Sequence, residues 1–268
     1  MKGYAHHLAM DLKAGVRDAT LMLMNYLFPI GFFVMIGLFM PTVNPGFVDL
    51  MIPGMIVFAI MSGTLMTIPA TLVDQRSSGI LRSFRVNGVP ATSMITIPII
   101  GSVAHMSVVA AILTIGSTAL YGAPLPVNWG WFVLTFLLAT LSFASLSALI
   151  GVVAKSSQSA TLLAQLVYLP SVLLGGLMVP EELLPVAVAR GASLLPATQA
   201  MRAFNALAFD GAAASGAAAT PLVFLAVSVV LNLALCLMLF EWDNRTVRRA
   251  HAFGLLAFLP FALAVAFG

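Results

Sequence analysis

Few side chains in this sequence are placed to make or break bonds. A phosphate-cradling loop needs Gly-x-x-x-x-Gly-Lys-Ser/Thr, and the nearest fragment is Lys155-Ser156, preceded by Ala154. No His-Glu-x-x-His, Asp-rich cluster or Gly-x-Ser-x-Gly occurs. Cys236 is the single cysteine and stands in an apolar run, so no intrachain disulfide or cysteine-based metal cluster can form. His105 is the one histidine inside a long apolar stretch. A lone polar residue there usually hydrogen-bonds one helix to the next, and the same reading covers Asn25, Gln165, Tyr168 and Asn232. The expectation is a chain with no catalytic residue, cofactor or metal ligand of its own.

The scaffold for these residues is set by scarcity of charge. Of 268 residues, 12 are basic and 9 acidic, or 8% in all, while 61% are hydrophobic. Mean hydropathy is +1.06. A soluble domain carries about 25% charged residues, and this chain has too little polar surface to cover a core in water. That excludes a soluble enzyme, a nucleic-acid binder and a disordered chain. The net charge of +3 therefore matters by its placement rather than its sum.

Charge-free runs locate the helices, because a span needs about 20 apolar residues and a mid-bilayer charge is costly. Spans are expected near 21–40, 51–72, 95–119, 131–153, 158–179 and 220–240. The turn residues between Tyr121 and Asn128 divide the third from the fourth. The apolar tail 252–268 contains Pro260 and is short, so it either barely spans or lies at the interface. The chain reads as a single all-α membrane domain over 1–268, with a six-span core over 21–240 and a cytoplasmic turn plus apolar tail over 241–268. No cleavable signal is expected, because Asp11 and Asp18 precede the first apolar run and no small-x-small site follows it.

Orientation follows the basic residues. With the N-terminus inside, Lys2, Lys13, Arg17, Arg76, Arg82, Arg85, Lys155, Arg245, Arg248 and Arg249 are cytoplasmic, and Arg190 and Arg202 are outside. No Asp or Glu falls inside a predicted span; Asp49 and Asp74 sit at span ends. Ion-coupled carriers usually keep an ionisable group in the membrane interior, so a transporter built this way would draw its energy from another subunit.

Three segments outside the spans carry pattern. Residues 1–19 read as an interfacial amphipathic helix, with Met1, Tyr4, Ala5, Leu8, Leu12, Val16 and Ala19 in an arc of about 120°. The loop 74–90 places Ile80 and Phe84 at i, i+4 with Leu81 beside them and Arg82 and Arg85 to the other side. It reads as a short helix stopped by Asn87-Gly88 and Pro90: either a plain positive loop or a docking element with apolar anchors and arginines for an acidic rim. Between the fifth and sixth spans the chain is too apolar for a solvated loop yet is broken by Pro180, Pro185, Gly191 and Pro196. Short helices dipping back toward the membrane fit it, with Glu181 and Glu182 near a helix N-terminus. Finally, Ser142, Ala144, Ser145, Ala148 and Gly151 form a small-residue patch that would let the fourth span pack closely on a neighbour.

Taken in order, Asp74-x-x-x-x-Gly79-x-Leu81-Arg82 with Pro90, then Leu174-Gly-Gly-Leu-x-x-Pro180 with Leu184-Pro185 and Leu195-Pro196, resemble the membrane subunit of the type-2 ABC exporter family. The resemblance covers the chain from its first helix to its sixth span. Glu is commoner in the family where Asp74 stands. The resemblance implies that Asp74, Arg76, Gly79, Ile80, Leu81, Arg82, Phe84 and Arg85 form a coupling helix that sits in a cleft of a separate ATPase. Gly175, Gly176, Pro180, Glu181, Glu182, Pro185 and Pro196 would belong to re-entrant external helices closing the pathway. It implies two copies of the permease, as a homodimer or with a paralogue, two ATPase subunits that bind ATP and Mg, and a bacterial inner (cell) membrane location. The substrate would meet dimer-facing surfaces of spans one, two and five at Phe28, Phe32, Met35, Met61, Met66, Tyr168 and Leu173. Such contacts suit a lipophilic drug, antibiotic or lipid-linked molecule. The rival readings are an ATP-independent secondary carrier or channel and, with the least material for it, a membrane-embedded enzyme or scaffold acting on lipid.

Overall fold

A computed structural model describes residues 2–211, 218–243, 259 and 262. Its elements are helical throughout, and among the described residues six helices are long and apolar enough to cross a membrane. The charge-free runs thus become the helices of a bundle. Helix α1 (Lys2–Arg17) is followed at Asp18 by a sharp restart, where the Asp18 carboxylate accepts from the backbone N–H of Thr20 and Leu21. Span one is α2 (Ala19–Met22), a π-helical turn (Leu23–Leu27) and α3 (Phe28–Val43). Span two is α4 (Phe47–Leu65) followed by α5 (Ile68–Ser77). A short helix, α6 (Ile80–Val86), joins it to span three, α7 (Ala91–Tyr121).

Span four is α8 (Trp129–Val153), started by Asn128, whose side chain accepts from Trp131 N–H. Span five is α9 (Ser157–Leu174), opened by a reciprocal capping box between Ser156 and Ser159. It ends five residues before the expected 179, because the chain breaks at Gly175 and then at Gly176, whose φ of +82° suits glycine alone. A 3₁₀ turn (Glu181–Leu183), α10 (Val186–Ala192), α11 (Pro196–Ala203) and a π-helical turn (Phe204–Phe209) lead to span six, α12 (Thr220–Leu239). Arg245, Arg248, Arg249 and the expected tail 252–268 lie outside the described residues, Leu259 and Ala262 excepted.

Spans two and four form the interior. From Met51 to Leu65 every residue of α4 is buried, and Phe58, Phe143 and Phe204 are among the largest fully buried side chains. Spans one and five instead present Leu27, Leu38 and Phe39, and Leu162, Leu166 and Leu173, on the outer surface. The small-residue patch does what its composition predicts. Ser142 Oγ lies 3.1 Å from Ser228 Oγ, and Asn232 Nδ2 donates to Ser228 and Ser145, fastening span four to span six. On its other side, a Cβ at Gly151 would stand 3.1 Å from the Pro69 carbonyl, so spans two and four are in backbone contact there.

Candidate functional site

The ends of spans two, four and five nearest the short helix α6 are tied together by two polar side chains from one turn of α5. Arg76 is buried and donates to the carbonyls of Val152, at 2.9 Å, and Ala154. Those are unpaired carbonyls of the last turn of α8, where the helix dipole also favours a cation. Asp74 accepts from the Ser157 hydroxyl at the start of α9. Val73, Ala154 and Ala160 pack as a small apolar cluster beside these links.

Directly after this brace, Gly79 adopts φ +80° and turns the chain into α6. The turn is open around it, so the backbone angle rather than crowding calls for glycine. Helix α6 has two faces. Leu81 is fully buried and anchors it to the bundle, while Ile80 and, at the far end, Val86 are exposed at 46% and 82%. Arg82 pairs with Asp243 at 2.5 Å. Arg85 is exposed, and Phe84 stacks on His7 of α1 with ring centroids 5.0 Å apart. Thus the expected run of docking residues divides. Arg76 and Leu81 point inward and hold the helix, and Phe84 is half-covered by α1. Ile80, Val86 and Arg85 make the outer surface; Val86 is a residue that the i, i+4 pattern did not single out.

Helix α1 lies against span three rather than standing free. Tyr4 Oη is 2.9 Å from Thr96 Oγ1, and the side of α1 carrying His7, Leu8, Asp11, Leu12 and Gly15 is turned inward. A side chain at Gly15 would collide with the His105 ring, whose Nδ1 is 2.6 Å from Tyr26 Oη. The apolar arc expected from sequence is therefore rotated: Tyr4, Leu8 and Leu12 are covered, whereas Ala5 and Val16 are exposed.

The expected path residues also divide. Phe28, Phe32 and Tyr168 come together through Phe58, which the sequence reading missed. Phe32 stacks on Phe58 at 4.0 Å, Phe28 lies 5.6 Å from it and Tyr168 6.1 Å. Met66 is close by, with Gln165 Nε2 3.3 Å from its sulfur. Met35 and Leu173 lie on the outer surface. Met61 corrects the expectation of a dimer-facing position, since it is sealed in the core at 0% exposure. From Met51 to Leu65, span two is covered by its own chain.

At the opposite end of the bundle, Arg202 of α11 donates through Nε to Glu181 Oε2 at 2.8 Å, through Nη2 to Glu181 Oε1 and to Ser193 Oγ. Glu181 thus answers a guanidinium more than the N-terminus of a three-residue turn. Pro196 starts α11, which is buried along nearly all its length. Ala197 packs on Gly175, and a Cβ at Gly54 would stand 2.9 Å from the Leu177 carbonyl. Gly176 supplies the turn at φ +82° noted above, and Pro180 and Pro185 set the starts of the 3₁₀ turn and of α10. Glu182 is the middle residue of the 3₁₀ turn.

Comparison with known proteins gives a consistent pattern. A family model described as "ABC-2 type transporter" matches residues 8–209. The chain is 27% identical over 182 residues to a protein named "Putative transport permease YvfS" from Bacillus subtilis (strain 168), covering 65% of this chain and 73% of that one. No solved structure matches.

Proposed function

The chain belongs to the ABC-2 type transporter family, and from that premise we propose that it is the permease subunit of an exporter for a lipophilic drug, antibiotic or lipid-linked molecule. It is a multi-pass membrane protein, and membership of the family implies an ATPase partner. In our reading two ATPase copies dock from the cytoplasm and hold the ATP and Mg. Two permease copies pair through the apolar outer faces of spans one and five, as a homodimer or with a paralogue. The protein sits in a bacterial inner membrane with its N-terminus cytoplasmic, α1 at the interface, and α10 and α11 re-entrant from outside.

The observation that carries this reading is the brace beneath α6. A push delivered to Ile80, Val86 and Arg85 meets Leu81, which is buried in the bundle. Through Arg76 and Asp74 the same segment is bonded to the ends of spans four and five. A short helix so anchored moves three spans as one unit, and packed interfaces of this kind switch between discrete arrangements rather than deforming continuously. The aromatic group Phe28, Phe32, Phe58 and Tyr168 lies between spans one, two and five, where relative motion of those spans would open a soft apolar path.

The test is reconstitution in liposomes with the ATPase partner and a lipophilic fluorescent dye. The expected result is dye movement that requires both ATP and the ATPase. Equally fast movement driven by a proton or sodium gradient with this chain alone would overturn the reading in favour of a secondary carrier.

A further inference from the structure

A cavity of about 270 Å³ lies between α1, the start of span one, α5 and the cytoplasmic half of span three. Its wall carries two carboxylates, Asp11 and Asp18, together with Asn25, Thr67, Gln75 and His105, and no lysine or arginine among the described residues. These side chains are far apart in sequence, and their meeting depends on α1 folding back over span three.

The groups facing this space are short of partners. Asp11 Oδ2 lies against span three, 2.6 Å from where a Gly101 Cβ would stand. It takes no hydrogen bond or ion pair from a described residue, and burial raises its carboxyl above the ordinary value, with His7 on α1 acting weakly the other way. Asp18 commits one oxygen, Oδ1, to the cap of α2 and keeps the other. Asn25, on the same wall, is 6% exposed, and its partnerless Oδ1 is sealed against Gly63 of span two rather than opening into the cavity. It sits in the π-helical turn of span one, an irregularity common at functional sites. Thr67 and Thr71 donate their hydroxyls to backbone carbonyls, which leaves their oxygen lone pairs to accept from a guest. The cavity is therefore rich in acceptors and negative charge.

We propose that this cavity binds the ammonium group of a cationic amphiphile. A primary ammonium has three donors and no acceptor, which matches two carboxylates and neutral oxygens. No group of three or more His, Cys, Asp and Glu suited to a metal ion occurs among the described residues. Leu21, Ile68, Leu72 and Pro98 complete the wall, giving an apolar flank for a hydrocarbon chain beside the charged end. The ammonium comes from an aminophospholipid headgroup of the inner leaflet or from a free alkylammonium compound. The site is independent of the ATPase reading, since binding to the isolated chain tests it.

The experiment titrates the purified full chain, in uncharged detergent at neutral pH, with dodecylammonium and separately with dodecanol. One saturable site per chain is expected for the ammonium, and dodecanol does not compete for it. Asp11→Asn and Asp18→Asn, the latter keeping a good helix cap, each weaken binding about tenfold or more, the loss of a charge-assisted hydrogen bond. Asp49→Asn, at the start of span two, leaves it unchanged. In phosphatidylcholine nanodiscs, competition by added phosphatidylethanolamine identifies the lipid headgroup as the source, and its absence identifies the free compound. Unchanged affinity in Asp11→Asn, or equal binding of dodecanol, overturns the proposal. If the variants do not fold, carbodiimide labelling of Asp11 in the unaltered protein decides: protection by dodecylammonium supports the site, and labelling at the same rate with the ligand present contradicts it.

Discussion

The two ends of the bundle each use one arginine to fasten a short helical segment, and they do it differently. At the α10–α11 end Arg202 forms a forked pair with Glu181 and also reaches Ser193, and both side chains of the pair remain partly exposed. At the α6 end Arg76 is buried at 4% exposure and its hydrogen bonds go to backbone carbonyls from the last turn of span four, while the charge of Glu241 also acts on it. Carboxylate pairing in partial contact with water adds little net stability. A buried guanidinium at a helix C-terminus meets several unsatisfied carbonyls at once and leaves them stranded when it goes. The fastening at the α10–α11 end is thus suited to release, and the one at the α6 end to transmitting force without slipping.

The strongest way to break this contrast is Arg76→Ala, which strands Val152 and Ala154 and should cost about 3 kcal/mol of stability. It is measured as a lowered Tm in detergent, with Arg76→Lys restoring only part because an ammonium lacks the planar fork. Glu181→Gln should cost only about 1 kcal/mol, since the pair is partly solvated and Arg202 keeps Ser193. Equal losses at the two arginine sites would abolish the distinction between a rigid and a releasable end.

A smaller effect of opposite sign sharpens the account of the α6 end. Asp11 has a folded-state pKa raised by burial, so the native chain holds its proton more tightly than the unfolded one. That feature favours the fold fully only below the ordinary carboxylate value, and the advantage is lost as pH rises through the raised one. Asp11→Asn should therefore stabilise the ligand-free protein modestly at pH 7 and do nothing near pH 3. Thermal melts of both proteins across that range check the sign. A destabilised variant at pH 7 would mean that Asp11 has a structural partner.

Six spans, their order, the short helix after span two and close packing of the small-residue patch of span four on some neighbour are legible in the sequence, because each is a local pattern; that the neighbour is span six is not. Charge-free length marks a span, Asn87-Gly88 and Pro90 stop a helix, and Ser142 and Ser145 permit close approach. What could not be read is which apolar face is buried. Lipid tails are as apolar as Leu, so Leu166 on the outer surface and Met61 in the core look alike in sequence. That is why Met61 was expected on a surface and why Phe58, the centre of the aromatic group, was missed. The inward turn of Arg76 and the cavity under α1 depend on contacts between residues far apart in the chain, Arg76 with Ala154 and Gly15 with His105, for which no local period exists.

The central claim is that the cytoplasmic face of α6 is where the ATPase engages this chain. The direct measurement is co-purification of the ATPase with Ile80→Asp and, as the external counterpart, Leu183→Asp. Both residues are exposed, at 46% and 69%, so each substitution should change folding stability by no more than about 0.5 kcal/mol. Loss of the ATPase with Ile80→Asp and full recovery with Leu183→Asp is the predicted result. Undiminished recovery with Ile80→Asp, in a protein that still inserts and melts normally, would contradict the account.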